Sequence, residues 1–279
     1  MFDNLRIGRV FGIDLKLHST FWLLPAFMFI TGWLRGGAPA AALDTAWVLA
    51  VFGCVALHEL GHALAARWYG IRTQDITLYP IGGIARLERI PERAWPEIVI
   101  AMAGPMVNVI IALLLVPLVI LNGIAIHHWW PSTGDPIHAF LVRVLFSNVL
   151  LVLFNLIPAF PMDGGRVFRA LLSLFTDRVT ATNWAARLGS LIAIGFGIWA
   201  VLETQPFLFI LAISVFIMGR QEAQMVRQIE AHRRQRRMWF EAGWSDPRPD
   251  TPDRRDGWVY DADRGEWVDY RGRDRFRRV

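Results

Sequence analysis

Long apolar runs fill the first 220 positions, and short arginine-bearing segments separate them. The pattern predicts helices over 21–34, 45–68, 97–122, 139–156, 184–202 and 207–218. Roughly 20 apolar residues, rising about 1.5 Å each, cross about 30 Å of hydrocarbon. The four middle runs reach or approach that length. The first and last fall short. The first is expected to begin earlier, near Leu15, and the last to tilt or to sit in thinned bilayer. Nothing in residues 2–17, mixed polar and apolar, reads as a cleavable signal.

Two stretches break the helical pattern. Thr77-Leu78-Tyr79-Pro80 and Ile81-Gly82-Gly83-Ile84-Ala85-Arg86-Leu87 read as short extended pieces with a glycine break. They predict a β-hairpin dipping into or lying on the cytoplasmic membrane face. From Arg220 a basic helix is expected over 221–240, followed by a Pro/Asp/Arg-rich segment at 246–256. Residues 258–260 and 266–270 suit one small aromatic hairpin. The expected fold is an all-α polytopic membrane protein of about six transmembrane helices, with a small β element near the cytoplasmic face. Residues 1–219 form the transmembrane core and 220–279 a basic, partly disordered cytoplasmic tail.

Composition agrees with a bilayer. Apolar residues make up 54% of 279 positions and charged residues 19%. Ordinary soluble chains carry roughly 45–50% and about 25%. Disorder of the whole chain and a fibrous repeat are excluded. A single cysteine excludes an intramolecular disulfide framework, and Cys₄ or Cys₂His₂ zinc sites with it. The net charge of +5 would suit a nucleic-acid binder if its distribution were ignored. Of 29 basic residues 28 are arginine, and 15 of those lie in the last 60 positions among 12 acids. Six helices put both termini on one side, together with 27 of the 29 basic residues, leaving only Arg35 and Arg143 opposite. The positive-inside bias then places both termini in the cytoplasm. The arginines of 227–237 suit anionic lipid, at about 1 kcal/mol per surface charge. Membrane lipid, not nucleic acid, is therefore an expected partner.

The sharpest chemistry lies in His58-Glu59-Leu60-Gly61-His62, inside an apolar run. Positions i and i+4 share a helix face, so both imidazoles can bind one metal. Glu59 cannot join them, but it can stand beside a water and take its proton. Three ionisable groups on a membrane helix are costly unless paired or metal-bound, so a satisfied polar contact between helices is the competing reading. Zinc needs a third protein ligand. Asn155-Leu-Ile-Pro158-Ala-Phe-Pro161-Met-Asp163-Gly164-Gly165-Arg166 offers one. Its prolines break a helix at membrane depth and its glycines free the backbone to turn. Irregular backbone there must be buried in protein or line a wet cavity, which aims Asp163 into a polar site. An ordinary turn acid at a helix end is the alternative. With two helices between them, His58, His62 and Asp163 come to the same depth.

HExxH in one membrane helix, followed by Asn-x-x-Pro-x-x-Pro-x-Asp-Gly at the end of another, resembles the site-two proteases, which are intramembrane zinc metallopeptidases. His18, Pro80-Ile-Gly-Gly83 and Gly104-Pro105-Met-Val-Asn108 fit the resemblance, which covers about residues 5–218. It implies one zinc per chain bound by His58, His62 and Asp163, with Glu59 as general base. Asn155 falls where the family places a polar residue that helps the substrate carbonyl. The implied activity is cleavage of a membrane-spanning protein substrate. No stretch suits an inserted PDZ domain, and no nucleotide-binding modules follow the last helix. A prenyl-protein protease is a rival zinc enzyme, but it lacks the Asn-to-Asp element. A non-catalytic zinc-binding chaperone or scaffold for transmembrane helices is a rival of another class, and an intact Glu59 argues against it. His127-His128-Trp129-Trp130 reads as an interfacial aromatic belt or a metal site. Cys54, one turn before His58, reads as a buried inert thiol or a group facing the site.

Overall fold

A computed structural model describes residues 4–80, 82–88, 91, 93–121, 136–241, 258–261 and 266–269. Strands β1 (Leu5–Val10) and β2 (Ile13–Leu17) open the chain, followed by a 3-10 turn at Ser19–Trp22 and helix α1 (Leu23–Trp68). Strands β3 (Thr73–Tyr79) and β4 (Gly82–Leu87) precede α2 (Ala94–Leu121), α3 (Pro136–Asn155), α4 (Asp163–Leu172), α5 (Arg178–Leu202) and α6 (Pro206–Glu241). Strands β5 (Trp258–Asp261) and β6 (Glu266–Asp269) follow. The chain divides into two compact units, Met1–Gln224 and Met225–Val279. The second unit contains the last part of α6 and the antiparallel β5–β6 pair.

Helix α1 is two antiparallel arms. Gly36 (φ −154°, ψ 22°) and Gly37 (φ 67°, ψ −157°) leave helical geometry, and Gly37 takes the positive φ that a side chain would resist. The arms then close on each other. A Cβ on Gly32 would lie 2.8 Å from the backbone of Ala41. Phe21 packs edge-on against Phe52 at 4.7 Å between ring centroids. Leu24, Met28, Val55 and Ala56 pack around the same cluster. The stretch Ser19–Trp68 is one of five that are long and apolar enough to cross a membrane, the others being Ala94–Leu121, Pro136–Asn155, Arg178–Leu202 and Leu208–His232. Counting both arms of α1, the described residues contain the six spans expected.

The bundle buries polar side chains in its core and exposes large apolar ones on its surface. Asn108 and Asn148 are fully buried, while Leu113, Leu114, Leu150, Leu153, Leu191 and Ile198 are exposed. Water would oppose that arrangement and a lipid environment favours it. The protein is a multi-pass membrane protein.

The sheet has the order β1-β2-β3-β4. β2 and β3 pair in parallel, with Leu15 opposite Ile76, and the outer pairs are antiparallel. Ile13 and Ile76 pack on Ala63, and Leu17 and Leu78 on Val48 and Phe52, so the sheet's apolar face rests on the second arm of α1. Residues 13–17 are thus a strand. The expected early helix start near Leu15 is corrected by the alternation of Ile13, Leu15 and Leu17 with Asp14 and Lys16, which suits a half-buried strand.

Two further expectations change. Gly164 and Gly165 belong to a regular helix, α4, and not to a free turn. Helix α6 runs through Gly219–Arg220 without a break. Asp177 caps α5, which starts at Arg178, six residues before the expected helix, and it accepts from the Thr180 N–H and hydroxyl. Those hydrogen bonds hold its exposed carboxyl below the usual range.

Candidate metal centre

The His58-x-x-x-His62 pair lies in the second arm of α1, and Asp163 is the first residue of α4. All three are buried. His58 Nε2 lies 3.0 Å from His62 Nε2. Asp163 Oδ2 lies 3.2 Å from the first and 3.1 Å from the second. Among the described residues this is the group of three ligand-type side chains close enough to share a metal ion.

The outer hydrogen bonds decide which atoms face the centre. Asn148 Nδ2 donates to the Val144 carbonyl at 2.9 Å, which turns Asn148 Oδ1 toward Asn108. Asn108 Nδ2 donates to that oxygen at 2.8 Å, which turns Asn108 Oδ1 to His58 Nδ1 at 2.5 Å. His62 Nδ1 faces the Ile100 carbonyl at 2.7 Å. Both partners of the imidazoles are oxygen acceptors, so each Nδ1 carries a proton, and in the neutral imidazole that a metal requires each Nε2 presents a lone pair. Two lone pairs and a carboxylate oxygen then face one another at 3.0–3.2 Å. Such a set is mutually repulsive unless a cation lies between its members. Tetrahedral zinc with ligand bonds of about 2.0–2.1 Å separates its ligand atoms by about 3.3 Å. The donor set fits zinc, with imidazole, imidazole and carboxylate leaving one position open.

Backbone close to the centre is glycine by necessity. A Cβ on Gly104 would lie 2.3 Å from His62 Nε2 and 2.7 Å from His58 Nε2. A Cβ on Gly61 would lie 2.8 Å from the Ala103 carbonyl, so α1 and α2 approach at that turn. Gly164 and Gly165 tuck the start of α4 under the carbonyls of Leu156, Ile157 and Ala159. A Cβ on Gly83 would lie 2.5 Å from Glu59 Cγ, which puts the backbone of β4 against that side chain.

The remaining candidates are not members of this group of three. Asn155 is half-buried, and its Nδ2 donates to the Leu151 carbonyl of its own helix at 2.9 Å. His18 caps the 3-10 turn through Thr20 and stacks on Tyr79 at 4.8 Å. Cys54 Sγ accepts from Asn148 Nδ2 at 3.3 Å, behind the metal ligands. His127-His128-Trp129-Trp130 lies outside the described residues. Sequence reasoning missed the orienting role of Asn108 and gave Asn148 none. The signal was present as asparagines within long apolar runs, where an amide must find a partner.

The chain matches the sequence profile of peptidase family M50 over residues 46–128 and 122–196. A solved structure titled site-2 protease from Methanocaldococcus jannaschii shares the fold at a TM-score of 0.56 and 31% identity, covering 79% of this chain and 95% of that one. This protein belongs to peptidase family M50, the site-2 proteases. Among curated relatives, a zinc metalloprotease of Methanocaldococcus jannaschii is 33% identical over 80% of this chain and 61% of its own. Stage IV sporulation protein FB of Bacillus subtilis is 24% identical over 75% of this chain and 67% of its own. The chain spans about half to three-fifths of the length of the first curated relatives it matches. Both segments of the family profile include site residues, His58 and His62 in the first and Asp163 in the second.

Proposed function

We propose that this protein is an intramembrane zinc endopeptidase, hydrolysing a peptide bond in or near a transmembrane segment of another membrane protein, in regulated proteolysis. The observation that carries the reading is the buried convergence of His58 Nε2, His62 Nε2 and Asp163 Oδ2, with Glu59 on the same helix between the two histidines. When bound there, zinc would supply Lewis acidity that brings the pKa of water toward ~7. His58 and His62 would hold it through Nε2 and Asp163 through its carboxylate.

The rest of the chemistry falls to the chain. Glu59 takes a proton from the attacking water and returns it to the leaving amine. The backbone of β4 lies against Glu59 and limits where that carboxylate can swing. Asn155 carries two amide N–H groups, of which the Leu151 carbonyl takes one. We assign the amide to the substrate carbonyl, where charge develops. A helical substrate hides its carbonyls and must unwind. β4 ends the sheet order, so the unwound segment can add to it as a further strand beside Glu59.

The distribution of basic residues supports both termini in the cytoplasm, with the catalytic end of α1 facing that side. On this reading residues 1–219 are the catalytic core, and 220–279 are a tail that touches anionic lipid and tunes substrate choice. The test uses the purified full chain in detergent with a substrate carrying one transmembrane segment. Glu59→Gln is expected to lower the cleavage rate by about 10²–10⁴-fold with zinc content unchanged. Turnover at the wild-type rate would reject hydrolysis through Glu59 and favour a zinc-binding scaffold for transmembrane helices.

A further inference from the structure

Asp163 reaches His58 from 105 residues away in sequence, and His62 with it, on a helix of ten residues. The N-terminal turn of α4 is held by the close backbone approach at Gly164 and Gly165. Its C-terminal half is held by Arg169, which is 1% exposed and has the largest side chain among the fully buried residues. Arg169 Nε donates to Glu97 Oε1 at 2.8 Å, and Nη2 donates to the same oxygen. Nη1 donates to Glu222 Oε1 at 2.7 Å. The guanidinium carbon lies 5.0 Å from the Phe160 ring centroid. Arg178 Nη2 reaches the other oxygen of Glu97 at 3.3 Å. Two cations and two anions therefore balance in a set joining α2, α4, α5 and α6.

The placement of Glu97 gives this set a consequence for the site. Glu97 is three residues before Ile100, one turn along α2, and the Ile100 carbonyl orients His62. The Arg169–Glu97 pair thus ties the helix that starts with one ligand to the helical turn that orients another. A neutral side chain of similar length would pack in the same space but would not fix the spacing of α4 and α2 through a forked contact. The Glu222 arm adds α6 as a third support.

We propose that Arg169 is a positioning residue of the metal centre, holding α4 against the Glu97–Ile100 turn so that Asp163 meets His58 and His62. The proposal rests on these three residues being the metal ligands. It goes beyond the ligand set because Arg169 touches none of them in the hydrogen-bond and ion-pair network.

The experiment measures zinc affinity of the full chain in detergent by competition with a chelator, with the thermal midpoint of the metal-free protein alongside. Arg169→Lys keeps the charge and loses the fork. Its zinc dissociation constant is expected to rise about 10–100-fold, as for other residues that support metal ligands. In an Asp163→Ala background the same change should add less than about twofold, because the ligand it positions is gone. Arg143→Lys, at the ion pair that Arg143 Nη1 makes with Asp44 at 2.7 Å, should leave affinity unchanged. Should Arg169→Lys fail to fold, Glu222→Gln removes one arm only and is expected to weaken zinc in the same direction, again only when Asp163 is present. Unchanged affinity in a folded Arg169→Lys protein would overturn the proposal. So would an equal loss in both backgrounds, which would mark a general structural effect. Asp163→Ala protein that keeps wild-type affinity would instead remove the ligand reading, and the proposal with it.

Discussion

The second arm of α1 carries two polar clusters, each built on a buried side chain, Asp44 and His58, and they differ in what they leave unmet. Near its start, Asp44 accepts from Arg35 Nη2 at 2.5 Å and from Arg143 Nη1 at 2.7 Å. Trp47 Nε1 donates to Ser147 Oγ one turn away at 3.2 Å. Each carboxylate oxygen has a guanidinium, and the cluster is closed. Fourteen residues on, about 21 Å along a helix, stands His58. There the outward Nδ1 of each histidine is also partnered, through Asn108, backed by Asn148, and through the Ile100 carbonyl. The three inward atoms meet only one another, and all three are acceptors. Both clusters tie α1 to α3 with buried polar groups. The difference lies in the sign of the groups that converge. Opposite charges close the Asp44 cluster, whereas the second needs a cation to complete it.

The largest effect is expected from filling the second cluster with a methyl group. Gly104→Ala would place its Cβ 2.3 Å from His62 Nε2. The imidazole must move, so loss of most bound zinc and of all proteolysis is expected, measured by metal analysis and cleavage of a transmembrane substrate. Zinc retained at wild-type level would show that the histidines do not converge as described.

A smaller effect is expected one layer out. Asn108→Leu keeps the branched side-chain shape and removes the acceptor that fixes the His58 tautomer. A loss of about 10–100-fold in zinc affinity follows from other supporting residues of metal ligands. Asn108→Asp, which can still accept from Nδ1, should recover part of it. Equal affinity for the leucine variant would mean that His58 needs no orienting partner.

The smallest effect on metal belongs to the closed cluster. Asp44→Asn leaves Arg35 and Arg143 without their anion. A loss of about 1–3 kcal/mol in stability is expected, read as a lower thermal midpoint, with zinc affinity unchanged. A matching loss of zinc would show that the two clusters are not independent.

The amino-acid pattern carries the ligands and the helices because both obey short-range rules. His58 and His62 need only the four-residue spacing of a helix. Asp163 follows from two prolines and two glycines at membrane depth. The spans follow from length and hydrophobicity, and even the β3–β4 hairpin follows from a glycine break. What is not legible depends on distant pairing. The parallel β2–β3 contact joins strands separated by the whole of α1, so nothing local announces it. The alternation in 13–17 was present, but its proximity to a long apolar run drew it into a helix. Helix α4 hides behind its glycines, whose role is close approach and not a turn. Arg169 reads as one more loop arginine until Glu97 and Glu222 arrive from other helices. Asn108 and Asn148 lie 40 residues apart, and only the packed bundle shows that they join behind His58.

Zinc-edge X-ray absorption on the zinc-loaded full chain reads the ligand set itself. Two imidazole nitrogens and light oxygen scatterers are expected at about 2.0–2.2 Å, with no sulfur. The imidazole signal should fall by half in His62→Ala protein. Sulfur at about 2.3 Å, the zinc–thiolate distance, would place the metal on Cys54. Either that result or an imidazole signal indifferent to His62 would contradict the site described here.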